Sequence, residues 1–250
     1  MLPVATIVRE TYTHVVRHIG SFAVVVGGAT AVVALAYLLL PFFVMFAAHQ
    51  VPASALAVRA LTLFSVTLLP IVMAAGWIFA AVRWHRFILI EEPATAPIRS
   101  LWHPARTYFL RILAIYVPVG VVSLYAAQVL MVVRSPYALL ALSFVAAMVL
   151  GRVAIAFPAA AVGDRRVGFL AAIRLTRGNT TRLLLVWLAA VLPLEVLRYL
   201  TVHLAVWVPS AWFHQAVQLA FTSASILMAV TAVSLCYRHF AQAEVKTAVQ

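Results

Sequence analysis

Long apolar runs alternate along this chain with short polar stretches rich in arginine, and six of the runs hold about 20 residues or more. At a rise of 1.5 Å per residue, each can cross a hydrocarbon layer of ~30 Å. The pattern predicts spans at about 21–46, 60–82, 112–133, 137–163, 183–207 and 214–237. Polar stretches before the first, third and fifth runs carry their own helical periodicity. In the first, Val8, Tyr12, Val15, Val16 and Ile19 recur on one side, with Arg9, Glu10, Thr13, Arg17 and His18 on the other. Between 167 and 177, Phe169, Ile173 and Thr176 share a side opposite Arg174 and Arg177, and Gly178 is placed to end the helix. The expected fold is therefore all-α: a polytopic membrane bundle of six transmembrane helices, with amphipathic interfacial helices ahead of spans one, three and five.

Small residues and prolines refine this picture. Ala23, Gly27, Ala31 and Ala34 recur at three- to four-residue steps in the first run, a spacing that lets helices approach closely in lipid. That face is expected to meet another span. On the sixth run, Gln215, Gln218, Thr222 and Ser225 fall on one side, which is expected to look into the bundle. The first run is too long for a signal-peptide core and reads as a retained span.

Composition agrees. Hydrophobic residues make up 66% of the 250 and charged residues 10%, and the mean hydropathy is +1.07; soluble domains run near 45–50% and roughly 25%. The net charge of +12 would point to nucleic acid in a soluble protein, but here the basic residues flank spans, where anionic headgroups account for them. Fourteen of the 18 Lys and Arg fall on the side of the termini and two, Arg59 and Arg134, on the other. By the positive-inside rule both termini are expected in the cytoplasm. The one cysteine, Cys236, lies in the last run and reads as a packing residue.

A weak threefold repeat runs through what reads as a single membrane domain, over 1–90, 91–163 and 164–250. Arg106 and Arg111 precede span three as Arg177 and Arg182 precede span five; in the first unit Arg17 takes the matching place and Phe22 replaces the second arginine. The run from Phe169 to Leu183, Phe-Leu-Ala-Ala-Ile-Arg-Leu-Thr-Arg-Gly-Asn-Thr-Thr-Arg-Leu, resembles the elbow of uncharacterised bacterial six-span membrane proteins. It is also similar to the membrane domain attached to some glycerophosphodiester phosphodiesterases. The resemblance implies a bacterial inner-membrane location and an interfacial helix ahead of a hairpin. It implies no activity, because the catalytic barrel is absent from this chain.

Three charges fall inside spans: Arg152, Glu195 and Arg198. Each would oppose insertion by ~2.5–3.5 kcal/mol if left alone. Counting residues from the span ends places Arg152 and Glu195 at similar depth in consecutive antiparallel helices, so they are expected to pair, with Arg198 as the competing partner. Such a centre could serve a transporter or channel, or fix helix register. His49, His203 and His214 are expected near the outer face, without the close spacing of zinc ligands, and the other histidines read as solvated loop residues. No nucleophile–base set, phosphate loop or metal motif is present, so no cofactor is expected and the chain does not read as an enzyme.

The functional expectation is a non-enzymatic inner-membrane module that interacts with lipid or organises a complex; a small transporter is the alternative. Its interfacial basic residues are Arg9, Arg17, Arg106, Arg111, Arg165, Arg166, Arg174, Arg177 and Arg182, expected against anionic headgroups. A membrane-protein partner or a second copy of the chain is the other expected contact. For topology, reporter fusions after Ala55 and Ser210 should report the outer side and fusions after Pro97 and Gly178 the cytoplasm. A protected reporter at Ser210 overturns the assignment.

Overall fold

A computed structural model describes the backbone of residues 1–50, 55–133, 136–204 and 211–248, and side chains over 1–35, 71–122, 144–203 and 213–242. The expected turns at Arg134–Ser135 and Val208–Ser210 and the residues 205–207 of span five lie outside the described residues, as does the His49 side chain.

The described residues form nine helices: α1 (Val4–Arg17), α2 (Ile19–Gln50), α3 (Ala55–Ile90), α4 (Ile98–Val133), α5 (Pro136–Val153), α6 (Ala156–Val162), α7 (Phe169–Leu175), α8 (Thr180–Leu204) and α9 (Ala211–Ala248). Five segments are long and apolar enough to cross a membrane: Ile71–Ile90, Ile98–Val122, Phe144–Val162, Thr180–His203 and Phe213–Gln242. The count rises to six if the pair α1 and α2, bent by 83° at His18, is taken as one span. The protein is an all-helical, multi-pass membrane bundle.

Several boundaries differ from the sequence expectation. The amphipathic stretch before span three is not a separate helix but the opening turns of α4. At the other side of that loop, α3 runs on to Ile90, so Arg83 and Arg86 stand on a helix. The fourth span is broken between Val153 and Ala156. Pro158 is the reason: it has no N–H for the Ala154 carbonyl, which bonds Phe157 N instead at 3.0 Å. Beyond the break α5 packs on α7 and α8, whereas α6 packs among α3, α4 and α9. Alanine makes this crossing compact, with Ala156, Ala159, Ala160 and Ala161 all buried.

Of two expected faces, one is rotated and the other is found in part. On α2 the stripe of Ala23, Gly27 and Ala31 is exposed, and Phe22, Val25, Ala29 and Val33 are buried instead. The close approach comes from α3, where a Cβ on Gly76 would sit 3.4 Å from Val32 Cγ1. α1 buries Ile7, Thr11 and Val15 against α8 and α9 and leaves Val16 outside, and Leu2, just ahead of it, is buried too. On α9, Ser225 is buried and Gln218 is half-buried and bonded to Arg198, as expected, but Gln215 and Thr222 are exposed, and Ser223, Thr231 and Ser234 are buried beside that face.

Those hydroxyls hold α9 to its neighbours. Thr231 Oγ1 lies 2.7 Å from the Leu227 carbonyl, which can only accept, so the hydroxyl proton is spent there. Its lone pair then receives the buried Trp84 indole N–H at 2.7 Å. Ser223 repeats the device, donating to the Leu219 carbonyl and accepting from Thr30 at 2.8 Å. Replacing Thr231 by Val keeps the shape but orphans the indole, and should destabilise the bundle by ~1–3 kcal/mol. Trp84→Phe added to Thr231→Val should then cost less than the two single effects summed, as read by unfolding in mixed micelles. Strict additivity would show that the bond contributes nothing.

Candidate functional site

The polar end of the bundle is built on helix breaks, and each break leaves carbonyls without an N–H partner. α6 ends in a left-handed Gly163 (φ 80), with Asp164 N bonding Ala159 O at 2.8 Å and Gly163 N bonding Ala160 O at 3.3 Å. This is a Schellman cap. The next carbonyl, Ala161 O, accepts from Arg86 Nη1 at 3.1 Å, while the Arg86 Nε pairs with Glu92. Arg111 donates to Ala156 O and, at 3.0 Å, to Val167 O. Arg152 takes Ile173 O in the last turn of α7 and Thr176 Oγ1 at 3.2 Å. A cation at a helix C-terminus is also favoured by the macrodipole.

The elbow in turn holds the N-terminal segment. Leu2 N donates to Asn179 Oδ1 at 2.9 Å and Leu2 O accepts from Arg182 at 3.0 Å. Further along, Tyr12 Oη donates to Ala189 O and Ala190 O at 3.0 and 3.1 Å. Pro193 deprives Ala189 O of its helical partner, so the phenol replaces a missing N–H. Asp164 caps the linker, accepting from Arg166 N at 2.9 Å and from Tyr237 Oη at 2.8 Å. Partial burial raises its carboxyl, but the bonds from Arg166 and Tyr237 outweigh this and leave it below its ordinary value.

The expected Arg152–Glu195 pair is not formed. Arg152 is committed to the elbow, and Glu195 Oε2 pairs at 2.7 Å with Arg198 Nε, three residues along the same helix. Arg198 Nη1 also donates to Gln218 Oε1 on α9 at 2.6 Å, and Ser225 lies beside the carboxylate. The depth count considered only the neighbouring span as a source of partners, whereas α7 folds back against α5 and brings Ile173 O and Thr176 Oγ1 to Arg152. His203 bonds the Tyr199 carbonyl and stacks on the Tyr199 ring; among the described residues no three His, Cys, Asp or Glu come together, and His214 joins no such group.

Beside the break lies a cavity of about 370 Å³ enclosed by α4, the α5–α6 crossing, α8 and α9. Its walls are apolar, among them Ile112, Leu150, Val186, Ile226 and Val233. No charged residue lines it. One end carries a polar chain: His85, 1% exposed, has Nδ1 at 2.6 Å from Ser234 Oγ and Nε2 at 3.3 Å from Tyr108 Oη. His85 was expected to be a solvated loop residue; it stands on the buried stripe Ile78, Ala81, His85, Ile88 of α3. That three- and four-residue spacing was the available signal.

No family model matches this chain, and no curated protein or solved structure matches it either.

The two charge sites are independent in this geometry. A double-mutant cycle between Arg152→Met and Glu195→Gln should be additive within ~0.3–0.5 kcal/mol. The same cycle between Glu195→Gln and Arg198→Met should show a larger coupling. Coupling of Arg152 to Glu195 beyond that margin would restore the cross-span pair.

Proposed function

We propose that this protein is a non-enzymatic inner-membrane module, with both termini cytoplasmic, whose basic end gathers anionic lipid. The observation that carries the reading is the division of its arginines. Arg83, Arg86, Arg111, Arg152 and Arg182 are half-buried and bonded to backbone carbonyls of the chain itself. Arg111 and Arg182 thus leave the set of lipid-facing residues read from sequence. Arg9, Arg17, Arg99, Arg106, Arg165, Arg174 and Arg177 are exposed and make no ion pair among the described residues. Arg166 is exposed but shares its charge with Asp164.

Seven such cations at the ends of spans form a rim suited to phosphate headgroups, at about 1 kcal/mol per basic residue near an anionic surface. The transporter reading loses its support, since the Arg152–Glu195 centre on which it rested is divided between two sites. The elbow's resemblance to membrane domains found beside separate catalytic domains agrees with a module lacking chemistry of its own.

Native mass spectrometry from mixed-lipid nanodiscs tests the reading. The protein should retain phosphatidylglycerol over phosphatidylcholine, and Arg106→Glu with Arg174→Glu and Arg177→Glu should abolish the preference while leaving the fold intact. Added salt should weaken it, as it does any exposed charge interaction. A wild-type protein that holds both lipids equally would falsify the proposal.

A further inference from the structure

The cavity beside the α5–α6 crossing has a polarity that can be worked out atom by atom. Ser234 Oγ lies 2.7 Å from the Val230 carbonyl oxygen. Two oxygens at that distance need a proton between them, and the carbonyl has none, so Ser234 donates. Ser234 therefore accepts from His85 Nδ1–H at 2.6 Å. A neutral imidazole with its proton on Nδ1 presents a lone pair at Nε2. Tyr108 must then donate its phenolic proton to Nε2. The chain runs in one direction, from Tyr108 through His85 and Ser234 to the Val230 carbonyl. What remains at its head is acceptor capacity on Tyr108 Oη, which no other described group uses.

Tyr108 and His85 both line the cavity. They stand at the end nearer the arginine rim, and the cavity continues into the bilayer-spanning part of the bundle along α4 to Tyr116 and along α9 from Cys236 to Ile226. These stretches correspond to roughly 12–15 Å of helix. Tyr116 and Trp187 line it and are also 54% and 43% exposed, so it communicates with a bundle surface at span depth. A Cβ on Gly151, in the wall, would meet no atom within 4 Å. An elongated apolar space, with the unused acceptor of Tyr108 Oη at its interfacial end, matches a molecule that is mostly hydrocarbon and ends in one donor.

We propose that this cavity binds one single-chain amphiphile by an uncharged hydroxyl end, the hydroxyl donating to Tyr108 Oη and the chain lying between α4, α5, α8 and α9. A carboxylate or phosphate end is disfavoured, because no cation lines the space and an unpaired buried charge is expensive. An ether or methyl ester end lacks the proton that the phenol oxygen can accept. The site is separate from the arginine rim, so loss of anionic-lipid preference would leave it standing.

The test uses the full chain in nanodiscs carrying equal bilayer fractions of 1-dodecanol, farnesol or 1-methoxydodecane, with bound adducts counted by native mass spectrometry. The wild type should retain an alcohol about fivefold over the ether, the ratio expected for one net hydrogen bond. Which alcohol it holds more tightly assigns the chain as straight or isoprenoid. Tyr108→Phe should reduce the alcohol to the ether's level, and Gly151→Leu, which fills the space, should lose all three ligands while still melting cooperatively. The wild-type comparison needs no variant, so it stands even if Tyr108→Phe fails to fold. Equal retention of alcohol and ether, retention of neither, or undiminished alcohol binding in Gly151→Leu each overturns the proposal.

Discussion

Water is missing where this protein needs it most. Within the hydrocarbon layer a backbone carbonyl without a partner has no solvent to turn to, and each such group costs several kcal/mol. The chain nevertheless breaks its fourth span and puts Pro193 inside α8, and at the interfacial elbow it ends α7 after two turns. Each irregularity is repaired by a side chain that reaches across. Arg111 and Arg86 hold the two ends of α6, Arg152 holds the end of α7, and Tyr12 supplies the bond that Pro193 removes. Arginine suits the role because its planar fork carries five donors, so a single residue can serve two acceptors.

The broken span has a consequence for shape. A continuous fourth helix would stay with α8 along its whole length. Because Pro158 interrupts it, α5 remains against α8 and α7 while α6 passes inward among α3, α4 and α9. The cavity lies at that crossing, lined by Gly151 and Leu150 on one side of the break and by Ile155 and Phe157 on the other.

Hydrophobic period and length carried the class of fold, since an apolar run of 20 residues has few alternatives. The helix expected over 167–177 with Gly178 at its end is shorter, since α7 stops at Leu175 with Thr176 as its cap, and Gly178, whose φ of 76 is one that glycine adopts without strain, turns the chain toward α8 instead. What periodicity could not carry was rotation. In lipid both faces of a helix are apolar, so the stripe Ala23, Gly27, Ala31 and the stripe Phe22, Val25, Ala29 read alike until a neighbour is present. Hydroxyls misled for a related reason. Thr222 is exposed, whereas Thr231 and Ser234, whose protons go to carbonyls of their own helix, are buried where Trp84 and His85 arrive from α3 in need of acceptors.

The charges at span depth show why a local partner prevails over a distant one. Glu195 and Arg198 are three residues apart on α8, on neighbouring positions of one face, so the helix itself has already ordered both backbones. A pair between Arg152 and Glu195 would require two helices to match in depth and rotation together. Arg152 has a nearer demand in Ile173 O, a half-buried carbonyl in the last turn of α7. Once Arg152 is so engaged, Arg198 can neutralise Glu195 and still extend one N–H to Gln218 on α9. The Glu195 site therefore joins α8 to α9, the Arg152 site joins α5 to α7, and a disturbance at one has no bonded route to the other.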